Sequence, residues 1–415
     1  MDKSVYFQKY AEAVVKVGVN LQPGQILVAS IPTEYRELAV EITKVAFSLG
    51  AKDVVINWMD PVVEHYRMLG ASEEVLREVH AYEEARVKYY IEQEACSLAC
   101  CIFYPDLDLD VPDAKLKAAG EHQRFLRKLE RDGRDKTGVQ WAAFVVGNPD
   151  WAAKIYPELP EEERNELFFK QVAGIVRIDE ASDPVENWKK HCADLSRYSR
   201  WLNEQNFDRM RIRTGLGTKL EIGLVKNNIW CSAAEMGDNQ KVAFCANMPT
   251  EEIFTDPDKR RVDGIVYASR PLYVSGRMVE NFWIQFEKGR AVECHAEKEQ
   301  KALEELLAID ESCRYLGELA LVPASSPISR TGQCYHFVPL DENAAGHIAL
   351  GTSFPSCVRG GMNMTKEELD AIGVNNAPIH CDFMYGTADM EVDGVKEDGT
   401  VIPVMRAGEF VENCS

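Results

Sequence analysis

The sequence predicts an α/β and α+β protein: an N-terminal domain with an open parallel sheet, followed by a mixed, largely antiparallel α+β domain. In the first half, apolar strand-like runs alternate with amphipathic helical segments, which is the βαβ pattern of a parallel sheet. In the second half, short alternating runs are separated by glycine-containing turns, as in antiparallel sheets. We place the N-terminal domain at residues 1–185 and the C-terminal domain at residues 186–415.

In the N-terminal half, Phe7, Tyr10 and Val14 lie on one face of a helix that Gly18 ends. A strand at 26–29, a helix that ends at Gly50 and a strand at 54–58 then form one βαβ unit. The pattern continues through the remaining predicted elements, which make four or five parallel strands in all. These elements are a helix around 73–92, a strand at 98–103, a basic helix around 114–131 and a strand at 141–146.

Residues 150–203 are predicted to be mostly helical, and Asp183 caps a helix that Pro184 starts. After them, the alternating runs 210–213 and 219–222 flank a glycine-rich turn and predict a hairpin. The other local signals are turns at Asp393-Gly394 and Asp398-Gly399, a helix around 297–309 and a helix opened by the capping box Thr365 to Glu368.

Composition excludes several classes of partner. The 415 residues carry 47 Lys and Arg against 67 Asp and Glu, a net charge of −20, which argues against nucleic acid and anionic membranes. No run reaches the roughly 18 apolar residues of a membrane span, and the polar start is unlike a signal peptide. We therefore expect a cytoplasmic protein. The 12 cysteines include no CxxC pair, so no zinc ribbon or thioredoxin-type motif is predicted.

The chemistry-bearing residues lie between 247 and 384, and the common nucleotide, Ser-hydrolase and HExxH motifs are absent. In the strand-like run 379–383, a period of two places His380 and Asp382 on one face. They are either ligands of one metal ion or a hydrogen-bonded structural pair. Residues 341–347 bring Glu342 and His347 next to small residues; the alternative is a loop with a surface histidine.

Two further carboxylate positions stand beside apolar sequence. Glu318 lies in the run 316–322, where an unpaired buried carboxylate would cost several kcal/mol, so its partner is an arginine, a proton or a metal. Glu251 and Glu252 precede Ile-Phe and so lie beside core. Four acids and two histidines then make a plausible two-metal set, although the sequence does not show that they converge. The set is Glu252, Glu318, Glu342, His347, His380 and Asp382.

Four segments resemble the M29 aminopeptidase family, the thermophilic aminopeptidases, and especially its PepS-like branch. They are Asn-Met-Pro-Thr-Glu-Glu-Ile-Phe-Thr (247–255), Leu-Gly-Glu-Leu-Ala-Leu-Val (316–322), Asp-Glu-Asn-Ala-Ala-Gly-His-Ile-Ala-Leu-Gly (341–351) and His-Cys-Asp-Phe-Met (380–384). Weaker similarity runs along nearly the whole chain.

The resemblance implies a metal-dependent aminopeptidase that removes N-terminal residues from short peptides with a free N-terminus through a water activated by two divalent ions. Zinc, cobalt and magnesium are the candidate metals. The family implies that Glu318 bridges the ions and that the other five members of the set complete their shells. We expect Glu251 to be the proton shuttle. The family also implies a catalytic C-terminal domain and a homodimer around an enclosed cavity.

One position departs from the family pattern. Phe354 stands where the family usually carries a tyrosine that is thought to hydrogen-bond the developing oxyanion, and the loss of one such donor costs roughly 10²–10³ in kcat. Tyr385 is either a substitute donor or a core residue, and Cys381 is expected to pack rather than to ligate. Two alternatives therefore stay open: a catalytically weak metal- and peptide-binding homologue, and a two-metal hydrolase of another amide.

Overall fold

The computed structural model describes residues 1–234, 240–274 and 277–411. The chain divides into two compact units. The first runs from Met1 to Lys190 and includes a later segment that ends at Met248; the second starts at His191 and continues from Pro249. Within the described ranges, no helix combines the length and the apolar character that a membrane span requires.

The strands are short except for three long ones in the second unit. In chain order they are β1 Ile26–Pro32, β2 Asp53–Met59, β3 Cys96–Cys101, β4 Trp141–Val145, β5 Arg209–Arg213, β6 Lys219–Leu224, β7 Cys231–Ser232, β8 Asn247–Met248, β9 Ile253–Thr255, β10 Pro257–Tyr267, β11 Leu272–Val274, β12 Arg277–Glu287, β13 Arg290–Lys298, β14 Leu316–Leu321, β15 His347–Gly351, β16 His380–Met384, β17 Glu391–Val395, β18 Val401–Arg406 and β19 Glu409–Phe410.

The α-helices are concentrated in the first unit. In chain order they are α1 Lys3–Ala13, α2 Arg36–Ser48, α3 Pro61–Gly70, α4 Glu73–Arg77, α5 Ala81–Glu92, α6 Asp113–Thr137, α7 Pro149–Ile155, α8 Glu161–Ile175, α9 Pro184–Gln205, α10 Gln300–Leu307, α11 Pro327–Thr331, α12 Val338–Asp341 and α13 Lys366–Ala371.

The first unit contains the predicted open parallel sheet. Five strands lie in the order β2-β1-β3-β4-β8, and every neighbouring pair is parallel. The first helix buries Phe7 and Tyr10, as the apolar spacing predicts, and Tyr10 Oη donates to the carbonyl of Val145 in β4. Asp183 accepts from the amide of Val185 at 2.8 Å, so the predicted cap of α9 is confirmed.

The second unit contains two antiparallel sheets, which confirms the predicted α+β class. Nine strands form a sheet in the order β11-β12-β10-β6-β5-β17-β18-β19, with β13 paired to β12. Five strands form the second sheet in the order β16-β15-β14-β9-β7. The predicted hairpin around the glycine-rich turn is β5 and β6.

The single helix predicted around residues 73–92 is wrong, because the chain forms two helices there. Helix α4 ends at Arg77 and α5 begins at Ala81. The carboxylate of Glu83 accepts a hydrogen bond from the amide of His80 at 2.9 Å and so caps the start of the second helix. A capping residue inside an otherwise helical pattern therefore divides the segment.

The turn predicted at Asp393-Gly394 is also wrong, because both residues lie within β17. A Cβ on Gly394 would come within 2.4 Å of the ring of Phe207, so close packing requires the glycine. The carboxylate of Asp393 accepts from Arg213 and Arg406. The turn predicted at Asp398-Gly399 does separate β17 from β18.

A bulge in β14 sets the direction of the strand that carries Glu318. The register between β14 and β15 shifts between Leu316 and Glu318, with Gly317 at the irregularity. A Cβ on Gly317 would lie 2.4 Å from the carbonyl oxygens of both Gly351 and Thr352. Bulges redirect side chains near functional sites, and this one requires glycine.

We predict that Gly317→Ala destabilises the protein by about 1–3 kcal/mol, because the methyl group has no space between two backbone carbonyls. The measurement is the free energy of unfolding in urea. The matched control is Gly174→Ala in α8, where a Cβ meets nothing within 4 Å and removal of a helical glycine favours folding. Equal effects of the two substitutions would contradict the prediction.

Candidate metal centre

The centre is built on three adjacent strands of the five-stranded sheet. Ala349 in β15 pairs with Glu318 of β14 on one side and with Asp382 of β16 on the other. Directly opposed residues of antiparallel strands point to the same face, so the two carboxylates flank a methyl group. A small residue between them leaves space in which both can approach one cation.

His347 lies on the same face of the sheet as these two carboxylates. It starts β15 two residues before Ala349, and its Nε2 lies 3.1 Å from Oε2 of Glu252. Glu252 directly precedes β9, which pairs with β14. His347 is 1% exposed, so its alternative interpretation as a surface histidine is wrong.

His380 and Asp382 lie on one face of β16, as the period of two predicts. Nε2 of His380 is 3.0 Å from Oε2 of Glu318 and 3.3 Å from Oδ1 of Asp382. Glu318 is buried, so the partner that its apolar surroundings require is found within this cluster.

Both imidazoles are held in the same way. Nδ1 of His347 lies 3.2 Å from the carbonyl oxygen of Ala345, and Nδ1 of His380 lies 2.7 Å from that of Thr352. A carbonyl can only accept, so each Nδ1 carries the proton and donates. Each Nε2 therefore faces the carboxylates, which is the orientation that metal-binding histidines adopt.

The predicted residues form two overlapping groups of donor atoms. Glu252, Glu318 and His347 form one, and Glu318, His380 and Asp382 form the other, with the atoms of each group within 4.8 Å of one another. Glu318 belongs to both. Glu342 lies outside both groups, although the charges of Glu252, Glu318 and Asp382 act on it.

Glu251 contacts different residues from its neighbour Glu252. Its carboxylate lies 3.7 Å from Nε2 of His191, and its amide donates to Oδ1 of Asn343 at 2.6 Å. It is 3% exposed. Adjacent glutamates in an extended segment therefore have different surroundings, one beside His347 and one beside His191.

The electrostatics of the cluster are those of crowded carboxylates. Burial raises the pKa of Glu318 to about 7, although His380 partly opposes the shift. Burial and the neighbouring acids raise the pKa of Glu342 well above its usual value. Burial raises the pKa of Asp382, but the two histidines lower it by more, so the value falls to about 2. Burial lowers the pKa of His347, but Glu252 and the other acids outweigh it and raise the value to about 10.

Sequence reasoning missed three residues that support the cluster. Buried Asp256 accepts a hydrogen bond from the amide of Phe354 at 3.1 Å. Asn343 links the two acid segments, since it accepts from the amide of Glu251 and donates to the Glu342 carboxylate at 3.4 Å. Nε2 of His191 donates to the carbonyl of Thr250 at 2.7 Å. Asp256 directly follows the segment 247–255 and Asn343 lies within the segment 341–351, both of which resemble the M29 family. No motif in the sequence marks His191.

Phe354 lies beside the cluster, with its ring centroid 4.8 Å from that of His380. Tyr385 is a core residue, because it is fully buried and its hydroxyl donates to the carbonyl of Ala320 at 3.2 Å. It is therefore occupied and does not replace the missing hydroxyl. Cys381 belongs to neither donor group.

The donor set fits divalent metal ions. Carboxylate oxygens and oriented imidazole nitrogens are ligands that divalent ions accept in hydrolases. Here they are buried together, and their described ion pairs include no compensating arginine or lysine. The site is thus of the kind that holds divalent metal ions. The chain belongs to the thermophilic metalloprotease (M29) family, whose model matches residues 4–410.

Named relatives are similar along nearly their whole length. The chain is 36% identical to aminopeptidase PepS of Streptococcus thermophilus and 35% identical to aminopeptidase AmpS of Bacillus subtilis, each with 97% of both chains covered. The structure of AmpT from Thermus thermophilus superposes with a TM-score of 0.88 at 32% identity, covering 98% of this chain and 99% of that one. A dioxygenase from Pseudomonas putida, at 10% identity and a TM-score of 0.52, shares the fold alone.

We predict that the affinity of the metal-stripped protein for zinc falls as the pH drops from 8 to 5.5. At low pH Glu318 and His347, with pKa values of about 7 and 10, hold protons that the metal must displace. Asp382, with a pKa of about 2, is already charged and adds no dependence in this range. Competition with a chromophoric chelator measures the affinity, and exposed His295→Gln is the matched control that keeps the profile. An affinity independent of pH would contradict the prediction.

Proposed function

We propose that the protein is a metal-dependent aminopeptidase that releases N-terminal residues from short peptides and uses two divalent ions. One observation carries the proposal: Glu318 belongs to two groups of donor atoms at once. A carboxylate shared in this way is what a two-metal centre needs as a bridge. The named aminopeptidases among the relatives support the type of reaction.

In this proposal each residue of the cluster has one role. When metal is bound, Glu318 would be shared by two ions, Glu252 and His347 would hold the first, and His380 and Asp382 would hold the second. The contacts of 3.0–3.3 Å around the two Nε2 atoms support this division. Glu342 lies beside the cluster and completes a shell. Zinc, cobalt and magnesium all accept such ligands, so the donor set does not select among them.

When bound, two divalent ions lower the pKa of a water molecule and polarise the scissile carbonyl. Glu251 would accept a proton from the attacking water and deliver it to the leaving amine. Its carboxylate belongs to neither donor group and lies 3.7 Å from Nε2 of His191, and this contact with an imidazole supports a proton-transfer role over a ligand role. Asn343 holds the Glu251 backbone and His191 lies next to its side chain, so its position is constrained.

Phe354 favours a second candidate function. Its ring contacts His380 but carries no hydroxyl that could stabilise an oxyanion, and Tyr385 is engaged with Ala320. A slow hydrolase, or a protein that binds metal and peptide with little turnover, is the alternative that this position supports. A two-metal hydrolase of another amide differs from both because its substrates need no free α-amino group.

The proposal also covers assembly and location. We propose a homodimer in the cytoplasm, in line with the family resemblance and the acidic composition. Light scattering of the purified protein tests the dimer directly. These two statements are independent of the chemistry at Glu318.

We predict that Glu318→Gln and Glu251→Gln fail in different ways. Loss of the bridge in Glu318→Gln lowers metal content and reduces kcat by more than about 100-fold. Glu251→Gln keeps the metal and lowers kcat by about 10²–10⁴, the usual contribution of a general base or acid. Metal content per chain and hydrolysis of dipeptides are measured on the same samples.

The substrate panel contains free dipeptides and their N-acetylated counterparts, with zinc, cobalt, manganese or magnesium added back to stripped protein. Turnover of free-amine peptides alone supports the aminopeptidase. Turnover of both sets would contradict it and support another amide hydrolase. Stoichiometric metal without turnover of any peptide would support the binding protein.

We predict that Phe354→Tyr raises kcat by up to about 10²–10³-fold and leaves metal content unchanged, because it restores one donor beside the cluster. Tyr385→Phe is the matched control; it removes a hydroxyl bonded to a backbone carbonyl, costs about 1 kcal/mol of stability and changes kcat little. An unchanged kcat in Phe354→Tyr would contradict the proposed reason for slow turnover.

A further inference from the structure

A cavity of about 520 Å³ lies next to the candidate metal centre within the second unit. Its size is in the range of roughly 300–1,000 Å³ that is typical of small-ligand sites. Small residues form much of its wall, including Ala345, Gly346 and Gly386. A Cβ on Gly386 would lie 2.5 Å from the nitrogen of Gly346, so these segments approach too closely for larger side chains.

The cavity continues the three strands that carry the cluster. Val322 follows the end of β14, Gly346 directly precedes His347 of β15, and Gly386 follows the end of β16. Across the paired strands, Glu318, Ala349 and Asp382 form one row of residues on the same face. His347 lies in the next row, two residues along β15, and the cavity wall lies in the row after that. The wall is two steps from the paired carboxylate residues, so at about 6.6–7 Å per step it lies about 13–14 Å from them, the length of four extended residues.

Arg270 is the cationic side chain of this wall among the described residues. The amide of its neighbour Ser269 donates to the carbonyl of Met384, the last residue of β16, at 2.8 Å. Arg270 is thereby tied to the end of a strand that carries Asp382. Its Nη1 donates to the carbonyl of Gln333 at 2.8 Å, and this hydrogen bond holds one nitrogen of the guanidinium group in place.

A fixed guanidinium retains further donors. It has five N–H groups in a planar fork that matches a carboxylate. The charge of Arg270 acts on Asp341, but that carboxylate already accepts from the amides of Tyr335 and Phe337 at 2.7 and 3.0 Å. Asp341 is not in the wall of the cavity. An anion that enters the cavity thus meets a cation oriented by the fold.

We propose that this cavity binds the C-terminal carboxylate of short peptide substrates of about four residues and that Arg270 is its donor. The proposal rests on the proposed function, because the substrate's N-terminal end must lie at the metal cluster. The distance from the cluster to the wall then matches about four extended residues. Arg270 selects peptides by length, since a longer chain places no carboxylate at this point.

The test uses tetrapeptide analogues in which a CH₂–NH group replaces the first amide, which is the scissile one, so that binding is measured without turnover. The probes are the Ala-Ala-Ala-Ala analogue as free acid, the same analogue as C-terminal amide, and an Ala-Ala-Ala-Glu analogue as C-terminal amide. Calorimetry measures their affinity for the stripped and the zinc-loaded protein. The third probe distinguishes a C-terminal carboxylate from a side-chain carboxylate.

The free acid is expected to bind about 10- to 100-fold more tightly than either amide, the value of a charge-assisted hydrogen bond. Arg270→Gln removes this difference, and Arg270→Lys keeps part of it because the charge remains without the fork. Arg359→Gln, an exposed arginine of the same unit outside the cavity wall, keeps the whole difference. Exposed Ala388→Phe, at the wall, weakens the free acid without removing Arg270.

Equal affinity for acid and amide in the unaltered protein would overturn the proposal. An Ala-Ala-Ala-Glu amide that binds as tightly as the free acid would also overturn it, since the site would then recognise a side-chain carboxylate. Unchanged binding in both Arg270→Gln and Ala388→Phe would place the ligand elsewhere. Failure of the proposed function is separate: discrimination between acid and amide without hydrolysis of any peptide keeps the carboxylate site and removes the aminopeptidase.

Discussion

The burial of Glu318 among other acids is the constraint on which the second unit depends. Three carboxylates and two histidines lie together in a largely buried group on and beside one sheet, and the Glu342 carboxylate lies nearby. Uncompensated buried charges of this kind cost several kcal/mol each, so the cluster needs protons or cations to persist. The pKa values of Glu318, Glu342, His347 and His380 are all raised, so protons on these groups balance part of the charge when no metal does. The centre is therefore a place where metal ions and protons compete.

The backbone solves the geometric part of this problem with small residues. Ala349 separates two carboxylates that share a face, and the bulge at Gly317 turns β14 where it meets two carbonyls of the neighbouring chain segment. Backbone carbonyls orient both imidazoles through Nδ1. The same three strands then continue into a cavity of small residues with one arginine. The candidate metal centre and a neighbouring pocket thus follow from one set of strand pairings.

The amino-acid pattern predicted most of this arrangement but not all of it. Period-two spacing predicted that His380 and Asp382 share a face, and the apolar run around Glu318 predicted a partner for it, because both signals are local. The separation of Glu251 from Glu252 was not predictable, since it depends on Asn343 and His191, which are distant in sequence. Arg270 gave no signal either, as its place is set by a bond from Ser269 to Met384. Local errors arose where one side chain overrode a pattern, as Glu83 does between α4 and α5.

Anomalous X-ray diffraction from zinc-loaded crystals, collected on both sides of the zinc absorption edge, tests the two-metal account most directly. The account predicts two anomalous peaks in each chain, one on either side of the Glu318 carboxylate, with the first beside Glu252 and His347 and the second beside His380 and Asp382. A single peak, or two peaks that do not share Glu318, would contradict it.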